Sequence, residues 1–199
     1  MTLVIGLTGS IASGKSTVSL MFDDFKIPVV DADKISREVV NPGEQAYESI
    51  INTFGREILL EDNTLDRKKL GAIIFADDNK RKLLNEIVHP AVRENMLKQR
   101  DAYVNAEANC VVLDIPLLFE SKLSHFVDKI VVVYVDEEVQ LDRLMKRDGY
   151  SEEEAKQRIK SQISVKEKAQ LADAVIDNNG TKNESYEQLK ALLKEWNAI

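Results

Sequence analysis

Residues Gly9 to Ser16 read GSIASGKS, the pattern G-x-x-x-x-G-K-[ST], directly after the apolar run Leu3-Val4-Ile5-Gly6-Leu7-Thr8. The chemistry this spacing serves is polyphosphate binding. Glycines let successive N–H groups turn inward around an anion, a lysine reaches the β/γ-phosphates, and the following hydroxyl ligates Mg²⁺. The candidate nucleotide-binding set is therefore Gly9, Ala12, Ser13, Gly14, Lys15, Ser16 and Thr17, with Ser16 as a metal ligand. A helical pattern follows (Val18, Met21, Phe22, Phe25), so the positive end of a helix faces the same anion. The plainer alternative, a Gly/Ser-rich turn, accounts for neither the lysine nor the hydroxyl beside it.

Asp31-Ala32-Asp33 follows a second apolar run, Pro28-Val29-Val30. Alternation along a strand sends both carboxylates the same way. Phosphoryl transfer to a hydroxyl gains from a carboxylate that orients the alcohol and takes its proton, and Asp33 is the candidate. Its plainer role is to cap a helix over Lys34–Val40. Arg37, one helical turn on, either binds the acceptor or pairs with Asp33.

Arg143 and Arg147 are spaced i, i+4, where like charges repel unless an anion lies between them. Asp142 and Lys146 form the compatible pair on a neighbouring face, and Arg158 can close from the next helix. Guanidinium groups suit a transferring phosphoryl group, whose charge spreads over several oxygens; a solvated charged face is the ordinary alternative. Asp114, in Asp114-Ile115-Pro116-Leu117-Leu118-Phe119-Glu120, can hold a water of the Mg²⁺ shell, while Glu120 caps a turn. His89-Pro90 reads as a break between two helices, with His89 more often structural than catalytic in such a place. Asp177-Asn178-Asn179-Gly180 reads as a turn near the nucleotide base, made of residues that tolerate positive φ. His125 has no evident role.

These residues need a frame. Besides the first run, Pro28–Val30, Cys110–Ile115, Ile130–Val135 and Ala174–Ile176 resemble buried parallel strands separated by helical patterns. The fold class is α/β, an open parallel sheet with helices on both faces. Thr8, Asp31, Asp114 and Asp177 close four of the runs, at the strand ends where such sheets bind ligands. Residues 43–106 form a helical insert, with segments Glu44–Phe54, Asp66–Phe75, Asp78–Val88 and Ala91–Ala106. Residues 143–168 are charged and read as a solvated, mobile element, with a helix starting at a Ser151/Glu154 capping box. Residues 1–42, 107–142 and 169–199 make the core.

Composition narrows the function. The net charge of −7 argues against a nucleic-acid surface. The single cysteine, Cys110, excludes an internal disulfide, sits in an apolar run as a small buried hydrophobe, and fits a reducing cytoplasm. No apolar stretch approaches the ~20 residues of a membrane span. No Cys/His cluster suggests zinc.

The chain resembles the dephospho-CoA kinase family over nearly its whole length. The residues carrying the resemblance are Thr8–Thr17, Asp31-Ala32-Asp33 with Arg37, Pro42-Gly43, Phe54-Gly55, Leu65 with Arg67, Leu84-Asn85 and His89-Pro90. They continue through Asp114–Glu120, Arg143 with Arg147, Arg158 with Gln162, and Asn178-Asn179-Gly180. The DAD element, the HP pair and the IPLLFE stretch together are far more diagnostic than the phosphate loop alone. The resemblance implies a five-stranded P-loop fold, an acceptor-binding domain at 43–106 and a lid at 143–168. It also implies transfer of the ATP γ-phosphoryl group to the ribose 3′-hydroxyl of dephospho-coenzyme A. It makes Lys15, Asp33 and Arg143 catalytic and adds Arg147, Asn178 and Gly180 to the nucleotide site. Asp33, Arg37, His89, Leu117 and Phe119 go to the acceptor, and Ser16 and Asp114 (through water) to Mg²⁺. A cytoplasmic monomer is implied, with weak self-association as the alternative. Asn63 and Ala12 stand where glycine is frequent in the family. Rival readings are a kinase for another small acceptor and a nucleotide-binding switch without transfer chemistry.

Overall fold

The apolar runs become strands that can be buried on both faces. The computed structural model describes residues 2–199. Its order is β1 (Leu3–Gly9), α1 (Lys15–Met21), β2 (Val29–Asp31), α2 (Ala32–Glu38), α3 (Gln45–Phe54), α4 (Arg67–Ala76) and α5 (Asp78–Asn105). Then come β3 (Cys110–Asp114), β4 (Lys129–Tyr134), α6 (Glu137–Asp148), α7 (Glu152–Lys160), α8 (Val165–Gln170), β5 (Ala174–Asp177) and α9 (Lys182–Glu195).

The strands form a five-stranded parallel sheet in the order β2-β3-β1-β4-β5. Register places Leu7 beside Asp114, Gly9 beside Val133, and Tyr134 beside Asp177, which brings the polar strand ends to one edge. Consecutive residues Val131, Val132 and Val133 are all fully buried, so both faces are covered. On one face Val18 and Phe22 meet Ile5, Leu7, Val112, Val131 and Val133, with Leu189 and Leu193 of α9 in the same cluster. Each such side chain contributes about 1.5–3 kcal/mol by leaving water. Cys110 is buried among them, and burial pushes its thiol up to about 12.

The chain divides into two units: the residues up to Val30 with Arg100–Ile199, and Asp31–Gln99. The second has its own core of Tyr47, Ile50, Phe54, Ile58, Leu65 and Leu70, against which Ile73, Ile74, Leu84, Ile87 and Val88 pack. Asn63 holds φ 62° in the turn between Leu59 and Leu65, a conformation asparagine tolerates.

Three expectations change. His89-Pro90 does not separate two helices, because α5 runs unbroken from Asp78 to Asn105 with Pro90 inside it. Proline removes one N–H and crowds the preceding turn, but Ile87 and Val88 anchor the helix in the core just before it. Asp33 does not cap the helix after β2: the strand ends at Asp31, whose carboxylate accepts from the Lys34 amide (3.0 Å) and caps α2, with Asp33 inside its first turn. The stretch 143–168 is not solvated throughout, since Ala155, Val165 and Lys168 are buried.

Candidate active site

The phosphate loop is shaped by three backbone requirements. A side chain at Gly9 would start 2.5 Å from Ser13 Oγ and 3.1 Å from the Val133 carbonyl. Ala12 (φ 59°) and Gly14 (φ 86°) are left-handed, which turns the intervening amides inward. The Ser13 amide closes a tight turn on the Ser10 carbonyl at 3.0 Å. Helix α1 starts without a side-chain cap. Caps are supplied elsewhere by Asp31, Asp66, Ser151, Ser164 and Thr181. Among the described residues, the amides of Ala12, Gly14, Lys15 and Ser16 donate to no protein acceptor. An uncapped helix start beneath a ring of inward amides is an anion cradle.

Lys15 is ion-paired with Asp114 at the end of β3, and both side chains are largely buried. Ser16 and Asp114 offer hard oxygen donors of the kind Mg²⁺ combines with phosphate and water. Among the described residues no cluster of three His, Cys, Asp or Glu side chains could hold a metal by protein ligands alone.

The outer wall of the loop comes from residues that sequence reasoning left out of the site. Gln162 Oε1 accepts from the Ile11 amide (3.0 Å), and Gln140 Nε2 donates to the Ile11 carbonyl (2.7 Å). Ser10 Oγ donates to the Ile163 carbonyl (3.3 Å). Lys168, fully buried, donates to the carbonyls of Gly9 (3.1 Å) and Pro116 (3.2 Å) and pairs with Glu120 (2.8 Å). Glu120 also accepts from the Ile163 amide (3.2 Å), so it ties down this segment rather than capping a turn. Lys168 carried one signal: it stands three residues after Val165 on an apolar stripe of a helix capped by Ser164 and Glu167. Gln140 carried none.

On the other side, Asn178 is buried against the loop. Its Nδ2 donates to the Ser13 carbonyl (2.8 Å), and its Oδ1 accepts from Ser185 Oγ (2.8 Å). Arg143 donates to the Asn178 carbonyl (2.9 Å). The 177–180 turn does not use positive φ. Gly180 instead leaves room for the Glu184 carboxylate, which a Cβ would meet at 2.2 Å. That carboxylate accepts from the Thr181 amide and hydroxyl, bonds that hold it below the usual glutamate range. Lys146 pairs with Asp142 as its spacing implies (2.8 Å). Arg147 makes two bonds to Asp148 (2.8 and 2.9 Å), which hold its guanidinium pKa above and the Asp148 pKa below their ordinary values. Arg158 lies over the Tyr150 ring, 4.2 Å from its centroid.

The expected acceptor residues fall in both units. Leu117 is exposed and Phe119 half-buried in the loop after β3. In the second unit Asp33 and Arg37 are exposed on α2, one turn apart, and among the described residues no ion pair joins them. The Asp33 carbonyl accepts from Ser36 Oγ (2.8 Å) and the Arg37 carbonyl from Arg67 (3.5 Å). His89 lines a shallow cavity of about 350 Å³ with Lys82, Asn85, Glu86, Pro90 and Arg93.

Comparisons with known proteins agree with this geometry. The family model described as dephospho-CoA kinase matches residues 3–184. A dephospho-CoA kinase of Oceanobacillus iheyensis is 62% identical over 197 residues, covering 99% of each chain. Among solved structures, TT1252 from Thermus thermophilus superposes with a TM-score of 0.82 at 34% identity, over 98% of this chain and 97% of that one. Dephospho-CoA kinase from Campylobacter jejuni does so with a TM-score of 0.76 at 31% identity, over 98% of both. With its P-loop on a five-stranded parallel sheet and a match of this extent, the chain belongs to the dephospho-CoA kinase family and is an ATP-dependent kinase.

Proposed function

We propose that the chain transfers the γ-phosphoryl group of ATP to the ribose 3′-hydroxyl of dephospho-coenzyme A, giving coenzyme A and ADP. This is the final step of coenzyme A synthesis. The observation that carries the reading is the loop Gly9–Thr17, whose unpartnered amides and uncapped helix start leave a cradle for a polyphosphate.

In this reading the triphosphate enters the loop and Lys15 turns from Asp114 to the phosphate oxygens. Its charge then lies where negative charge develops, in a site where electrostatic stabilisation is the largest contribution to rate. Arg143 and Arg147 supply further cations, with residues 143–168 acting as the lid. Arg147 first leaves Asp148, an exposed pair and so a weak one. Asn178 and Gly180 act by shaping the loop and the turn beside the nucleotide. Asp33 accepts the proton of the acceptor hydroxyl as the new O–P bond forms and the γ-phosphorus–oxygen bond breaks, its electron pair leaving with ADP. Arg37, His89, Leu117 and Phe119 hold the acceptor, whose domain is residues 43–106. Ser16, with Asp114 through water, would hold Mg²⁺, which when bound neutralises phosphate charge. The enzyme acts as a cytoplasmic monomer without nucleic acid. Among the described residues no helix is long and apolar enough to cross a membrane.

The test is ADP release with dephospho-coenzyme A offered beside AMP, cytidine and pantothenate. Acceptor-dependent ADP release with dephospho-coenzyme A alone is the expected result. Turnover only with another acceptor overturns the substrate assignment, and ADP release indifferent to every acceptor overturns the transfer chemistry.

A further inference from the structure

Lys168 is fully buried, and its three ammonium hydrogens have three partners: the Gly9 carbonyl at the end of β1, the Pro116 carbonyl after β3, and Glu120. Glu120 Oε1 also receives the Ile163 amide, while its Oε2 is buried without a partner. The pair thus joins the first residue of the phosphate loop, the loop after β3 and the segment following α7. Gln162 and Ile163 add bonds to Ile11 and Ser10, so residues 162–168 touch three consecutive loop residues. Stability alone does not require this arrangement, because an apolar residue of similar volume fills such a site as well or better than a buried ion pair. What the ammonium does, and a methyl group cannot, is hold two main-chain carbonyls at one point. The Gln162 carboxamide, for its part, occupies the Ile11 amide and leaves the inward amides beyond it to the ligand.

We propose that Lys168, with Glu120 and Gln162, is a positioning residue for the phosphate loop. It sets the position of Gly9–Ile11 and couples the loop to the chain that leaves α7. A further consequence is that any closure of α7 pivots before Gln162, because 162–168 is fixed to the loop. The proposal rests on the reading of this loop as the ATP site. It concerns how well the loop is formed, not which acceptor is used.

The test uses the full chain with Lys168→Met and Gln162→Ala, each checked by circular dichroism and thermal melting. Both are titrated with Mg-ADP and assayed for kcat and KM with ATP and dephospho-coenzyme A. Lys168→Met should weaken ADP binding about tenfold or more, since small misplacements of a binding frame are costly. Gln162→Ala should weaken it about fivefold, the loss of one hydrogen bond. The KM for dephospho-coenzyme A should stay within about twofold in both. A folded variant with unchanged ADP affinity, or with both KM values raised alike, overturns the proposal. If Lys168→Met does not fold, Gln162→Ala decides by the same criteria. A wild-type chain that binds ADP but does not phosphorylate dephospho-coenzyme A overturns the substrate assignment instead, and the ADP titrations still decide the positioning role.

Discussion

Gly14 is asked for two things at once, and a double-mutant cycle separates them. Its φ of 86° is left-handed, and a Cβ there would lie 2.1 Å from Asn178 Nδ2. Gly14→Ala therefore incurs about 1–2 kcal/mol of backbone strain. It also displaces a side chain that cannot move freely, because Asn178 is buried between Ser13 and Ser185. Losing the 2.8 Å bond to the Ser13 carbonyl and leaving those groups unsatisfied costs about 1–3 kcal/mol more. The single variant should thus lose roughly 2–5 kcal/mol. Asn178→Ala alone forfeits two buried hydrogen bonds, about 2–4 kcal/mol. Once Asn178 is gone, adding Ala at position 14 should cost only the strain, about 1–2 kcal/mol. The double variant is then more stable than the sum of the singles implies by about 1–3 kcal/mol, within the range measured for contacting residues. Urea unfolding of the four proteins measures this, and Mg-ADP titration should show the same non-additivity. Additivity within about 0.5 kcal/mol would refute the argument, since it would mean that Asn178 does not occupy the space Gly14 leaves.

Three further outcomes follow from particular residues. Asp33→Asn keeps the shape of the carboxylate but cannot take a proton, so kcat should fall by about 10²–10⁴ with the ATP KM within about twofold. An equal loss in ATP binding would mark Asp33 as structural. Cys110, its thiol raised to about 12 by burial, should resist iodoacetamide at pH 8 in the native protein and react on unfolding in urea; rapid native labelling contradicts that burial. Glu184 is held below its ordinary 4.5 first by the Thr181 amide and then by its hydroxyl. Its stabilising contribution is therefore full above pH 4.5 and is lost as pH falls from there through the lower folded value. Glu184→Gln keeps the capping bond without titrating, so urea midpoints should fall less steeply than in wild type below pH 4.5; an unchanged slope contradicts this.

Local chemistry is what the sequence reveals best. The GSIASGKS loop, the buried runs of β1, β3 and β4, and the Ser151–Glu154 capping box all depend on residues close in the chain. So does the second unit's set of helices, apart from the break at Pro90. That error came from weighing proline's local cost without the packing of Ile87 and Val88 that holds α5 on its course. Asp31 and Asp33 both stand near the start of α2 and either is a fitting cap by residue type; the bond from the Lys34 amide decides for Asp31.

By itself, then, the sequence determined that a phosphate loop follows a buried strand in a parallel α/β frame, since both are written in periodicity and spacing. Only the tertiary structure decided what surrounds that loop. Lys168 and Gln162 look like ordinary charged and polar residues of a solvated stretch, Glu120 like the cap of a turn and Asn178 like a turn residue. Each gains its meaning from a backbone group more than a hundred residues away in the chain, or more than forty in the case of Glu120. A hydrogen bond across such a separation leaves no period in the sequence, because it is set by where the strands end in the sheet and not by what stands next to the residue.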